Sequence, residues 1–325
     1  MMSEPSTFAD HGSWRVDLSQ ESQIETDATG RQVDQEVIAV FDSGFGGLNI
    51  LEALTDLLPD ERFVYLGDSL RSPYGDREPA EVREFSLEIL DYLRRHYRLK
   101  LVVVACNTAS ALALDALRAV SEVPIVGVID AAVRAIAQAT HTSRVGVVGT
   151  AATIASGVYQ RRLALETVTA IACPGLVEYV EAGAIDDPGL LALMHTLLEP
   201  MKMAAVDVVL LACTHYPYLG AQFLEVLGES VTLISSGEET AFEVRELLLG
   251  SRQVSTDTRH PGVGVEFLCT GPVEDFQRVG QRLFQGALDS VTRVELQPVG
   301  PGERQQISQQ RVAHRLNSQQ EYANG

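Results

Sequence analysis

From Glu36 to about Val294 the chain alternates short β-branched, apolar runs with longer amphipathic stretches, and this alternation restricts the fold more than any other feature. Short buried strands separated by helices pack as α/β layers around a mainly parallel sheet. The pattern predicts strands at Val37–Phe41, Phe63–Leu66, Leu101–Ala105, Ile125–Val128, Val145–Val148, Thr167–Ala172, Val208–Ala212, Val231–Ile234 and Val265–Leu268. Helices are expected after most of them, among them Pro79–Tyr97, Ala109–Val120 and Leu190–Met203. The longest apolar runs, such as Leu101–Ala105 and Val208–Cys213, are strand-sized. They fall far short of the roughly 20 residues that a membrane-spanning helix needs, so no membrane association is expected.

The two ends differ from this middle. Residues 1–34 are acidic and polar, and residues 297–325 are rich in Gln with Gly and Pro. Neither buries enough apolar surface to offset its ordering entropy, and both are expected to be mobile tails. The first 34 residues contain no basic region followed by an apolar stretch, which argues against a secretory signal and for a cytoplasmic protein. With 325 residues, 46% of them hydrophobic, the chain suits two modest domains or one large one.

Charge narrows the function. Lys plus Arg number 25 against 44 Asp plus Glu, a formal net charge of -19. Such a chain repels phosphate backbones, which disfavours nucleic-acid binding, and an anionic substrate would need locally arranged donors. Cys106, Cys173, Cys213 and Cys269 show neither a C-x-x-C pair nor metal-ligand spacing, so free thiols and no metal are expected. The chain has no P-loop motif, and neither lysine, Lys100 or Lys202, sits where a pyridoxal Schiff base would form.

Two segments echo each other at a distance of 107 positions: Leu101-Val-Val-Val-Ala-Cys-Asn-Thr and Val208-Val-Leu-Leu-Ala-Cys-Thr. Each is an apolar strand ending in Ala-Cys, with small polar residues at the expected helix start. Ligands of open α/β sheets bind beyond such strand ends. Free N–H groups and the positive end of the helix dipole favour anions there and lower a thiol's pKa from about 8.5. Either cysteine alone is more simply a buried apolar thiol; the matched pair points to two thiolates. Asp42 and Ser43, in Asp42-Ser43-Gly44-Phe45-Gly46-Gly47, follow the first strand and should project into the same crevice. That stretch lacks the G-x-G-x-x-G spacing of a dinucleotide loop. Ser72-Pro73-Tyr74-Gly75 forms a tight loop that either binds a carboxylate through its N–H groups or is an inert turn. His215 stands two residues beyond Cys213, and Glu181 reads by spacing alone as an exposed glutamate.

Taken in order, Asp42-Ser-Gly-x-Gly-Gly, Pro73-Tyr-Gly, Ala105-Cys-Asn-Thr-Ala, Gly149-Thr-Ala-Ala-Thr and Cys213-Thr-His-Tyr-Pro resemble the cofactor-independent glutamate racemases, over roughly Val37 to Gly286. The resemblance implies two similar open-sheet α/β domains facing each other across a central cleft, one cysteine from each. It implies a first domain at 35–129 plus 236–296, a second at 130–235, and a homodimer. It implies interconversion of L- and D-glutamate, supplying D-glutamate for peptidoglycan, without a cofactor. Cys106 would take the α-proton of the D-isomer and Cys213 that of the L-isomer. Asp42 would assist Cys106, and Glu181 and His215 would assist Cys213, with Glu178 a competitor for Glu181. Substrate would be held by Asp42, Ser43, Tyr74, Gly75, Asn107, Thr108, Thr214 and His215. The alternatives are a related enzyme acting on aspartate, a hydantoin or maleate, a non-catalytic anion-binding protein, and a dithiol redox enzyme if Cys106 and Cys213 come within disulfide reach.

Overall fold

The computed structural model describes residues 36–298 except 166, 252–263 and 289, so the expectations for residues 1–34 and for the chain beyond 298 lie outside the described residues. All nine predicted strands form, and they divide between two sheets in which every pairing is parallel. The first contains β1 (Val37–Asp42), β2 (Phe63–Gly67), β3 (Leu99–Val104) and β4 (Ile125–Gly127) in the order 2-1-3-4. The second contains β5 (Arg144–Gly149), β6 (Thr167–Ala172), β7 (Val208–Ala212) and β8 (Thr232–Ser235) in the equivalent order 6-5-7-8. The sequence echo therefore has a topological counterpart: each cysteine follows the third strand of its quartet. Two further strands, β9 (Val265–Cys269) and β10 (Val291–Arg293), extend the first sheet beyond β2. Three residues in a polar stretch carry too little periodicity to announce β10.

Four helices follow the first three strands: α1 (Leu48–Leu57), α2 (Pro79–His96), α3 (Asn107–Leu112) and α4 (Leu114–Val120). The single helix expected at Ala109–Val120 is thus two, broken at Ala113, where φ of -119° leaves the helical range. Then come α5 (Val128–Ala139), α6 (Ala151–Ala155), α7 (Val158–Leu163), α8 (Leu176–Ala182), α9 (Pro188–Met203) and α10 (Gly220–Leu227). The last two are α11 (Gly237–Gly250) and α12 (Val273–Leu283). Local chemistry explains the clearest boundaries. In α2 a reciprocal Glu78/Glu81 capping box and Pro79 satisfy the first turn, while Arg94, Arg95 and His96 meet the negative end of the dipole. In α9 Asp187 accepts from Gly189 N at 2.7 Å ahead of Pro188.

Strands covered on both faces read as continuous apolar runs because alternate side chains serve different cores. Ile38 and Val40 of β1 enter one cluster, and Val37, Ala39 and Phe41 another. Val209 and Leu211 of β7 join the cluster of Ile38 and Val40, so the largest core is shared between the sheets. At the start of β3 Lys100, 8% exposed, donates to Glu61 Oε2 at 2.6 Å, with Glu61 2% exposed. Truncating one partner of a buried pair leaves an uncompensated charge. Glu61→Ala should therefore cost about 3 kcal/mol of stability, measured by urea unfolding; a loss near zero would show that Lys100 finds water instead.

Candidate active site

Both quartets reverse strand direction of growth between their first and third strands, β1/β3 and β5/β7, and the crevice at such a switch point is where open α/β sheets bind ligands. One cavity of about 330 Å³, counting its opening, lies at these strand ends and is lined from both halves. From the first sheet come Ser43 after β1, the loop Ser72–Gly75 after β2, and Cys106, Asn107 and Thr108 after β3. From the second come Thr150 after β5, Val177 on α8, and Cys213, Thr214 and His215 after β7. Among these lining residues His215 alone can carry a positive charge. Anionic groups must otherwise be met by hydroxyl, amide and backbone N–H donors.

Cys106 caps α3, its Sγ accepting from Ala109 N at 3.4 Å and lying 3.6 Å from Ser43 Oγ. The expected low pKa does not result. Burial is the largest influence and the negative charge of Asp42 adds to it, pushing the thiol up to about 12 against the N–H of Ala109 and the hydroxyl of Ser43. A six-residue helix end cannot offset removal of a thiolate from water. Asp42 is fully buried behind the cavity wall: Oδ2 accepts from Gly44 N at 3.1 Å, and Oδ1 has no partner. Burial raises its pKa despite the opposing charge of His215 and the N–H groups of Gly47, Gly44 and Ser43.

Cys213 has a different surrounding. No α-helix starts beside it, contrary to expectation; a 3-10 turn at Tyr216–Leu219, containing Pro217, precedes α10. The turn places His215 Nδ1 3.9 Å from Cys213 Sγ, a long contact, and His215 Nε2 3.0 Å from Glu181 Oε1. Burial disfavours the imidazolium, but the hydrogen bonds and charges of Cys213 and Glu181 outweigh it and push His215 up to about 10. Glu181, on the last turns of α8, is thus the carboxylate that meets His215, whereas Glu178 is exposed. Asn49 of α1 holds the same turn from the other half, donating through Nδ2 to Thr214 O at 2.7 Å.

The remaining predicted residues occupy the wall in distinct ways. Tyr74 lines the cavity, but its hydroxyl is committed to Asp68, which also accepts from Arg71 Nε at 2.7 Å and Thr270 Oγ1 at 2.7 Å. Gly75 lies so close to the other half that an added Cβ would stand 2.7 Å from Thr150 Cβ. Thr108 Oγ1 joins Thr150 Oγ1 at 2.9 Å and Thr153 Oγ1 at 3.1 Å, a three-hydroxyl clasp between α3 and the start of α6. Thr150 and Thr153 belong to the Gly149-Thr-Ala-Ala-Thr motif, which marked them without giving them a place in the site. Val177 carried no sequence signal.

This arrangement, two buried thiols at matched strand ends of two parallel sheets on one cavity, is that of an amino-acid racemase. The family model for Asp/Glu/hydantoin racemases matches residues 48–243, more than half of the chain, and the protein belongs to that family. It is 43% identical over 267 residues to a glutamate racemase of Beutenbergia cavernae, covering 78% of this chain and 91% of that one. The structure of a glutamate racemase isoform from Bacillus anthracis superposes with a TM-score of 0.77 at 37% identity, covering 82% of this chain and 99% of that one. That of the Francisella tularensis glutamate racemase in complex with D-glutamate does so with a TM-score of 0.75 at 28% identity, covering 81% and 99%.

Proposed function

We infer that this chain interconverts L- and D-glutamate by passing a proton between two thiols, and that it supplies D-glutamate for peptidoglycan. The observation that carries the reading is that Cys106 and Cys213, one from each quartet, line a single cavity. Removing the α-proton leaves a carbanion-like centre whose charge spreads onto the carboxylate. Inversion then requires a proton from the opposite face, which one base cannot serve. In the D-to-L direction the Cys106 thiolate takes the α-proton and becomes a thiol, while the Cys213 thiol delivers its own proton to the other face and becomes a thiolate. The reverse direction starts from that protonation state.

The helpers differ because their surroundings do. Held at Nε2 by Glu181, His215 presents Nδ1 to Cys213: neutral, it accepts from the thiol; as imidazolium, it donates to the thiolate. Asp42 does not line the cavity and acts on the site from behind its wall, through its charge on Cys106, while the positive charge of the substrate's ammonium offsets the burial that holds the Cys106 thiol high. Ser43, Asn107, Thr108 and Thr214, with the Tyr74–Gly75 backbone, hold the carboxylates; no pyridoxal or metal enters the scheme. Preorganised donors at a developing oxyanion are worth several kcal/mol in a dry site. The same proposal divides the chain into domains at 35–129 plus 236–296 and at 130–235, assembled as a cytoplasmic homodimer.

The test is incubation of pure D- or L-glutamate with the enzyme in deuterated water, followed by circular dichroism and NMR. Optical rotation should decay to zero with deuterium entering Cα. Inversion of aspartate and not glutamate, or inversion without deuterium, would overturn the reading. Glu181→Gln removes a negative charge from His215 and lowers its pKa, so the imidazolium is lost at lower pH. The alkaline limb of the L-glutamate kcat/KM profile should move down from near 10 by about one pH unit.

A further inference from the structure

The amide of Asn107 is 1% exposed, and its two ends have unequal fates. Oδ1 accepts from the hydroxyl of Tyr159 at 2.5 Å, whereas Nδ2 is buried without any partner. Buried donors are almost always satisfied, so a free one on a residue that lines the cavity points to a ligand. Tyr159 comes from α7, in the second half of the molecule, 52 residues from Asn107, and is 1% exposed. Burial raises its phenol far above the ordinary range, so it always carries its proton.

We propose that Tyr159 is a positioning residue that fixes the orientation of the Asn107 amide, turning the Nδ2 donor toward a carboxylate of the bound amino acid. An asparagine amide can rotate end for end at little steric cost, and the two orientations present opposite chemistry to the cavity. With Nδ2 inward it donates to an anion; with Oδ1 inward it repels one. Asn107 Oδ1 is the acceptor for the Tyr159 hydroxyl, so rotation would strand that proton in a dry interior, a penalty the present orientation avoids. The three-hydroxyl clasp of Thr108, Thr150 and Thr153 holds the adjacent residue and ties the α3 start to α6, the helix that precedes α7 in the chain. One half of the molecule thereby sets the polarity of a donor on the other.

The proposal rests on glutamate as substrate, and the test separates the two. In Tyr159→Phe the amide loses its orientation, and KM for both glutamate isomers should rise about 10-fold, equivalent to about 1.4 kcal/mol, with kcat changed less than about 3-fold. Asn107→Ala should raise KM at least as much, and Tyr159→Phe added to it should change nothing more. An unchanged KM in the single variant, or additive effects in the pair, would sink the proposal while leaving the wild-type activity as established by the deuterium experiment. A wild type that does not racemise glutamate sinks the parent reading instead. Should Tyr159→Phe fail to fold, the wild-type side-chain amide resonances of Asn107, assigned by their loss in Asn107→Ala, serve the same purpose. They should be two sharp lines that shift when D-glutamate is added; lines averaged by rotation, or unmoved by saturating glutamate, contradict it.

Discussion

Replacing either Cys106 or Cys213 by Ala should lower kcat for glutamate racemisation by at least about 10³-fold in both directions, the upper part of the range for loss of a positioned acid or base. In the proposed two-thiol mechanism each thiol acts in every turnover, as base in one direction and acid in the other, so neither variant is expected to retain a one-way activity. The variants should differ in what remains. Cys106→Ala keeps Cys213 with its His215 and Glu181 partners, and should still exchange the α-proton of L-glutamate with deuterated solvent without inverting it. Cys213→Ala should show the corresponding slow exchange with D-glutamate alone. Neither substitution touches the shared core beyond a small side chain at a cavity wall, so thermal unfolding should shift little. If either variant inverts glutamate at more than about a tenth of the wild-type rate, a two-base mechanism needing both thiols is wrong.

Gly46→Ala should have the next largest effect, although Gly46 contributes no functional group. A Cβ there would stand 2.3 Å from Thr214 Oγ1 and 2.6 Å from His215 Nδ1. The neighbours cannot easily yield, because Thr214 O is tied to Asn49 at 2.7 Å and His215 to Glu181 at 3.0 Å. A displacement of about 1 Å in a catalytic group can cost about 10²-fold, and a loss of that order in kcat/KM is expected, largest for L-glutamate. Gly250→Ala is the control, since a Cβ there meets nothing within 4 Å. A Gly46→Ala enzyme with unimpaired kcat/KM for L-glutamate would mean that the placement of His215 against Cys213 does not matter.

Much of this molecule is legible along the chain because parallel strands covered on both faces announce themselves locally. Val37–Asp42 and Val208–Ala212 are buried throughout, and uninterrupted apolar runs of that length have few other uses. The paired Ala-Cys endings likewise mark two equivalent strand ends. Other features depend on neighbours remote in sequence. Glu181 and Glu178 are equivalent by spacing, and only the packing of α8 against the turn after β7 brings Glu181 to His215. Thr150 looks like an ordinary helix cap until Thr108 and Gly75 are found against it. The pKa of Cys106 reverses the helix-terminus expectation because burial and the charge of Asp42 are three-dimensional properties.

The sequence by itself determined the α/β alternation, the positions of nine strands, the absence of pyridoxal and P-loop signatures, and the two cysteines at strand ends. Those follow from periodicity and residue chemistry, which act over a few positions. Tertiary structure alone decided that the thiols share one cavity, which carboxylate meets His215, which hydroxyls clasp the two halves, and that the Tyr159 hydroxyl meets Asn107. Such contacts join residues from 34 to 165 positions apart, and no local preference of the chain specifies a partner at that distance; the packing of the two sheets does.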